Sequence, residues 1–421
     1  MSDLHSIALS KMPVAEAVGS APYDIVQESL RSVRTHLGME IAYLSEFVDG
    51  KSVFRAVDAP GLETLIKPGD QRSLDEVYCL HICDGTLPQL MPDTSAFPVA
   101  AAMPITNAVP IGAHVSVPIE REDGSQYGMF CCLSPTPNVS LNDRDLNVAR
   151  MFARLAQREV QNVLVARRIA DEALSRIDAV MQERAFSMAF QPIHDLASRE
   201  VSGFEALCRF HSEPYRTPDK WFAEAAELGI GDDLEYCVLE ATLSVIDAFP
   251  KPLYLSVNAG PDLVASGRLK SLFAEHHPHR MVLELTEHAE VLDHAALARA
   301  LADLRALGVR IAVDDAGAGY SGLQQLVRLK PEIIKLDRSL VSGVHDDPAL
   351  RSLCAALLHY AKETGAVLVA EGIETEQEAW VLQDLGVHRG QGWLLGKPMD
   401  LPQALTHAGM DLIQPFLPQS D

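Results

Sequence analysis

The order of apolar runs and helical stretches predicts an α/β protein. Its C-terminal part reads as a (β/α)8 barrel, preceded by a smaller α+β domain and a connecting helix. Three observations carry this. From Phe186 to Leu417, short strand-like and longer helix-like segments alternate, with about eight strands in about 230 residues, the usual size of such a barrel. Acidic and amide residues recur where those apolar runs end. Between residues 21 and 140 helix and strand patterns mix without that alternation, and a stretch without proline or glycine joins the two parts.

Taken in order, residues 1–20 read as a loose tail, without the basic start and apolar core of a secretory leader. DIVQESLRSVRTHLG predicts an amphipathic helix stopped at Gly38. MEIAYLSEFVDGKSVFRAVD predicts a hairpin turning at Asp49 and Gly50, and AHVSVPIEREDGSQYGMFCCLSP a second one turning at Asp123 and Gly124. Leu87 to Pro110, rich in proline and small residues, reads as loop. Residues 142–185 read as one long helix or two abutting ones, with Val163, Ala166, Ala170, Ala173, Ile177 and Val180 at three-four spacing. That seam suits packing on its own domain or a parallel coiled coil between two chains, which its alanines would weaken. The expected boundaries are 1–20 for the tail, 21–160 for the first domain, 161–185 for the connecting helix and 186–417 for the barrel.

In the barrel half, Glu205 closes VSGFE, Asn258 follows LYLSV, and Glu284 and Glu287 lie in MVLELTE. Asp314 and Asp315 follow VRIAV, Asp337 closes IIKLD after Lys335, Glu371 follows VLVA, and Gln391 opens QGWLLG. In a barrel of parallel strands these ends converge on one face. About six carboxylates would then lie within a few ångströms of one another, and uncompensated like charges that close cost several kcal/mol. Divalent cations are the expected remedy, and hard cations prefer such oxygen donors. The residues therefore point to a metal-dependent active site.

Composition bounds the function. Hydrophobic residues make up 48% of the 421 and charged residues 22%, which describes a globular chain. No run approaches the roughly 18 to 20 apolar residues of a membrane span. The net charge of −23 argues against a nucleic-acid polymer as partner, though not against a small phosphorylated ligand. Seven scattered cysteines fit reduced thiols and a cytoplasmic location. Cys79, His81 and Cys83 match no common zinc spacing and read as buried thiols beside a histidine.

The C-terminal motifs resemble the EAL family of cyclic-di-GMP phosphodiesterases. Glu205-Ala206-Leu207 stands in FQPIHDLASREVSGFEALCRF, followed by SVNAG, ELTE, DDAGAGYSGL, KLD, EGIE and QGWLLGKP in family order. No GG[D/E]EF cyclase signature occurs. The resemblance implies a TIM-like barrel that hydrolyses cyclic-di-GMP to linear pGpG with two divalent ions, Mg²⁺ or Mn²⁺. It implies that Glu205, Asn258, Glu284 and Asp314 hold one ion, with Asp314 bridging to a second near Asp315 and Glu371. Lys335 would orient the attacking water, and Glu371 is also a candidate general base. Arg209 and Gln391 would contact substrate, Glu287 would brace the loop after Asp315, and Asp337 would support Lys335.

Any one of Asp315, Asp337 or Glu374 could instead be a helix N-cap, a reading favoured here for Glu374. The family's DDFGTGYSSL reads DDAGAGYSGL, with Ala316, Ala318 and Gly322 loosening that loop, and EALLRW reads EALCRF. The ligand residues survive, so activity is expected; an EAL-type receptor that binds without cleaving is the alternative. The first domain resembles a GAF sensory module through LGMEIAYLSEF, IGAHVSVPI, YGMFCCLSP and LNDRDLNVARMFARLA. That implies a small, unidentified ligand and regulation through the helix, in a homodimer. Neither Cys79-Leu80 nor Cys83-Asp84 has the cysteine-histidine pair of bilin attachment.

Overall fold

The computed structural model describes residues 24–213, 215–285, 293–316 and 320–409; for Asn107, Asp315, Ala316 and residues 320–323 it describes the backbone alone. The expected tail, Glu287 and Ala318 lie outside the described residues. The chain divides into two compact units, 1–172 and 173–421.

The first unit is built on a six-stranded antiparallel sheet: β1 (Ile41–Val48), β2 (Lys51–Asp58), β3 (Gln71–Ser73), β4 (Leu90–Met91), β5 (Ala113–Glu120) and β6 (Gln126–Ser134). Their spatial order is β3-β2-β1-β6-β5-β4. The helix Asp24–Leu37 buries Val26, Leu30, Val33 and Leu37, one stripe at three-four spacing, and Gly38 ends it at φ 62°. Both residues of the β1–β2 turn, Asp49 and Gly50, have positive φ, the tight turn that matches strand twist. One sheet face packs Ala42, Leu44, Val115, Phe130 and Cys132 against that helix and against Leu146, Ala149, Ala153 and Ala156. The opposite face packs Ile41, Tyr43, Phe54, Met129 and Leu133 beneath the helix Tyr78–Cys83 and its neighbours.

The stretch from Leu87 to Pro110, expected to be loop, is more ordered than that. It holds β4 and two short helices, Pro98–Ala102 and Pro104–Ala108. Each begins on a proline, whose fixed φ and missing N–H suit a first helical turn.

A single helix runs Asp143–Glu183. Its residues 173–183 belong to the second unit, where Ile177 and Val180 pack with Trp221, Leu234 and Val238. No helix among the described residues is long and apolar enough to cross a membrane.

The second unit is a closed eight-stranded barrel of β7 (Phe186–Asp195), β8 (Val201–Phe210), β9 (Tyr254–Ala259), β10 (Met281–Leu285), β11 (Arg310–Ala316), β12 (Ile333–Leu336), β13 (Val367–Ala370) and β14 (Arg389–Gly390). Strands β9, β10, β12 and β13 are four to six residues long and almost wholly buried, as strands covered on both faces must be. The intervening helices end cleanly: Gly308, Gly365 and Gly386 each cap one in the left-handed region.

One expectation fails. The barrel is not wholly parallel, because β7 runs antiparallel to both β8 and β14. A five-residue connection turns β7 into β8 as a hairpin, so the two strands are ten residues long where their neighbours are short. Glu205 accordingly sits in the middle of β8 and does not close a strand.

Candidate active site

Inside the barrel, Ile193, Tyr254, Val282, Ala312, Ile333 and Val369 form one buried layer. Side chains alternate along a strand, so residues two positions on face the same way. On the parallel strands those next residues are Ser256, Glu284, Asp314, Lys335 and Glu371. On the reversed β7 the corresponding residue is two positions earlier, Gln191. An apolar floor thus carries a polar ring toward the C-terminal ends of the parallel strands.

Lys335 is the centre of that ring. Its side chain is 2% exposed, and its Nζ lies 2.6 Å from Glu371 Oε1, 2.7 Å from Glu284 Oε2, 3.4 Å from Asp314 Oδ1 and 3.5 Å from Glu205 Oε2. Asn258, level with Glu284 in the β9–β10 register, donates to Glu205 Oε1 at 3.1 Å. Gln391 donates to Glu205 Oε2 at 2.7 Å and to Gln191 Oε1 at 3.0 Å. Ser256 donates to Glu284 Oε1 at 2.5 Å. Glu205, Asn258, Glu284, Asp314, Lys335, Glu371 and Gln391 are therefore brought together from seven different strands or strand ends.

Four acids face a single ammonium in a buried site, and the electrostatics show the imbalance. Burial, with the Asp314 and Glu205 charges beside it, raises the Glu371 carboxyl to about 8 despite the Lys335 ammonium. Burial and then the Glu205 charge raise Glu284 well above the carboxylate range. For Glu205 burial acts in the same direction, but the Lys335 charge and hydrogen bonds from Gln391 and Asn258 outweigh it and hold it low. Burial opposes the charge on Lys335 too, and the surrounding carboxylates, Glu205 foremost, raise its pKa well above that of a free lysine.

The remaining expected residues stand apart from this ring or beyond description. Arg209 lies on the Glu205 face of β8, four residues and about 13 Å further toward the mouth, and its Nη1 donates to the Cys208 carbonyl at 2.7 Å. Asp337 caps the helix Arg338–Val341, accepting from Ser339 N. Asp315 has only its backbone described, on β11. Glu374 is not an N-cap: Thr375 caps the helix Glu376–Leu385 in a capping box with Glu378, and Glu374 pairs with Arg338 Nη2 at 2.8 Å. The residues 372–378 spell that box, since a threonine followed three positions later by glutamate is its sequence signature. Two polar members of the ring, Gln191 and Ser256, were not expected. Ser256 was accessible from its two-residue offset to Asn258, whereas Gln191 required knowing the direction of β7.

The donor set suits a hard divalent cation: it is all oxygen, it carries excess negative charge, and Gln391 Oε1 is buried without a hydrogen-bond partner. Among the described residues no group of three or more Asp, Glu, His or Cys side chains is arranged as a ligand cage. The carboxylates converge on the Lys335 ammonium instead, which supplies positive charge where a cation would otherwise be needed.

The EAL domain profile matches residues 172–398, more than half of the chain. A probable cyclic di-GMP phosphodiesterase of Escherichia coli, PdeB, is 30% identical over 249 residues, covering 56% of this chain and 47% of that protein. A cyclic di-GMP phosphodiesterase of Pseudomonas aeruginosa is 33% identical over 238 residues, covering 54% of this chain and 40% of its own. The chain thus spans less than half the length of either relative. Among solved structures, an EAL domain protein from Listeria monocytogenes superposes with a TM-score of 0.50 at 23% identity over 55% of this chain and 96% of that one. The EAL enzyme Bd1971 in its cGMP-bound form superposes with a TM-score of 0.51 at 21% identity over 88% of this chain and 94% of its own. At those identities the two structures speak for the fold alone. The motif order, the barrel and the profile agree: the chain belongs to the EAL domain family.

Proposed function

We propose that this chain hydrolyses cyclic-di-GMP to linear pGpG in a reaction that needs a divalent cation, Mg²⁺ or Mn²⁺. The observation that carries the reading is the ring of Glu205, Glu284, Asp314 and Glu371 around Lys335, on a barrel of the EAL family. Glu205, Asn258, Glu284 and Asp314 would hold one ion, and Asp315 and Glu371 would lie by a second. When bound, such ions polarise the phosphoryl oxygens and lower the pKa of a water.

The chain's own groups have separable tasks in this reading. Lys335 orients the attacking water and stabilises charge developing on the phosphoryl oxygens. Glu371, 2.6 Å from the Lys335 ammonium, accepts the proton of that water. Gln391 fixes the Glu205 carboxylate, and Arg209, nearer the mouth, offers its forked donors to a substrate phosphate or guanine edge. Glu287 would brace the loop after Asp315, and Asp337 would steady the turn that follows Lys335.

The first unit serves in this proposal as a GAF-like sensory domain over 21–160, linked through 161–185 to the barrel at 186–417 in a homodimer. Its support is the antiparallel sheet covered on both faces, and a small cavity of about 50 Å³ lined by residues that include Tyr43, Phe54, Tyr78 and His114.

The deciding experiment incubates purified protein with cyclic-di-GMP and Mg²⁺, Mn²⁺ or Ca²⁺, with Glu205→Ala as control. Metal-dependent pGpG formation that disappears in the control supports the enzyme. Tight binding without turnover in any metal would overturn it in favour of a receptor, and would direct attention to the Ala316 and Ala318 loop.

A further inference from the structure

At the N-terminal end of the barrel, opposite the carboxylate ring, two arginines flank one tyrosine. Arg310 opens β11 and Arg389 opens β14. Their guanidinium carbons lie 4.7 Å and 5.0 Å from the centroid of the Tyr254 ring. Tyr254 is 5% exposed, and its buried hydroxyl lies against the Arg389 side chain as a hydrogen-bond neighbour. Arg310 Nε and Arg389 Nη1 are buried without a geometrically well-formed hydrogen bond. Two guanidinium donors in one small region are therefore under-satisfied, which is unfavourable for buried polar groups and most of all for charged ones.

The neighbouring acids do not answer them. Glu332 accepts from Arg305 Nε and from Ile311 N, each at 2.9 Å. Asp195 Oδ1 accepts from Ala197 N at 3.0 Å and from Ser198 N at 2.8 Å. Neither acid forms an ion pair with Arg310 or Arg389 among the described residues. Two adjacent guanidiniums with no carboxylate in ion-pair contact repel each other. Both arginines are half-buried, so part of each side chain faces solvent.

We propose that Arg310, Arg389 and the Tyr254 hydroxyl form a binding site for a small oxyanion of the phosphate class. Forked guanidinium donors match the geometry of phosphate oxygens, and two of them neutralise a dianion. Both guanidiniums lie over the Tyr254 ring, and its hydroxyl would supply a further donor. Free inorganic phosphate and the terminal phosphate of a nucleotide share this chemistry. The site is independent of the catalytic proposal, being on the other end of the barrel.

The test is calorimetric titration of the full chain with inorganic phosphate in phosphate-free buffer containing EDTA, repeated with the Glu205→Ala variant. One phosphate per chain should bind in both, with affinity falling at least tenfold in Arg310→Gln and in Arg389→Gln. Tyr254→Phe keeps the ring and should weaken binding several-fold; it carries the test should an arginine variant fail to fold. A parallel titration with GMP separates the sources: equal affinity and equal sensitivity to the variants assign a phosphate monoester, and binding of phosphate alone assigns the inorganic ion. Absence of saturable phosphate binding, or affinity unchanged in all three variants, overturns the proposal.

Discussion

Gln191 and Gln391, 200 residues apart in sequence, are joined by a hydrogen bond of 3.0 Å, with Gln191 Oε1 as acceptor. Gln191 in turn donates to the Gly396 carbonyl at 3.1 Å, and Gln391 donates to Glu205 at 2.7 Å. The carbonyl of Gly396 thereby sets which way the Gln191 amide faces, and that sets which atom of Gln391 meets the Glu205 carboxylate. Replacing Gln191 by leucine removes the acceptor without touching Glu205. By analogy with supports of ligating groups, turnover should fall about 10-fold. Steady-state hydrolysis beside a melting curve checks this, and an unchanged kcat would rule out the positioning role.

Lys335→Met leaves four carboxylates with no buried counter-charge. Breaking a buried ion pair by removing one partner costs about 3–5 kcal/mol, so the barrel should unfold at lower denaturant in EDTA than wild type does. Mn²⁺ should recover more stability in the variant than in wild type, because a cation then replaces the lost ammonium. Denaturant midpoints with and without Mn²⁺ read this out; equal midpoints for both proteins in EDTA would contradict it.

His114 supplies a pH dependence in the first unit. Burial lowers its pKa to about 4, against 6.5 for an exposed histidine. Between those values the unfolded chain binds a proton that the folded chain refuses. The stability from the neutral ring is thus complete above about pH 6.5 and is lost as pH falls toward 4, up to about 3 kcal/mol. Calorimetry between pH 7 and 4.5 should show this loss in the transition of the first unit, and His114→Leu should flatten it. An equal slope in the variant would assign the acid sensitivity elsewhere.

The last turns of the long helix are anchored by Ile177, which is fully buried with Trp221 and Val238 in the second unit. Ile177→Ala should cost that unit about 2–5 kcal/mol by leaving a cavity. Exposed Ile169, eight residues earlier on the same helix, should tolerate alanine within about 0.5 kcal/mol. Urea midpoints for the two variants make the comparison, and equal losses would show that the anchoring is not local.

Much of the barrel was legible because its strands are short, apolar and buried on both faces. Glu284, Asp314, Lys335 and Glu371 sit at the ends of such runs, so a reading of run ends finds them. What the residues do not encode locally is direction. FSMAFQPIHD is the same apolar run whether it ascends or descends, so the reversal of β7 escaped notice and Gln191 with it. The hairpin this reversal permits also lengthened β8, which moved Glu205 from an expected strand end to mid-strand. Two other features are encoded locally: the prolines that start the helices at 98 and 104, and the Thr375–Glu378 box that relieves Glu374 of any capping role.

The reversed first strand also decides where the long helix hands over to the barrel. β7 begins at Phe186, paired with Phe210 at the mouth end of β8, so the helix ending at Glu183 meets the rim that carries the carboxylates. A parallel first strand would have received it some ten residues, about 33 Å, away at the opposite end. The helix therefore joins the barrel five residues before Gln191, whose amide is one hydrogen bond from Gln391 and two from Glu205.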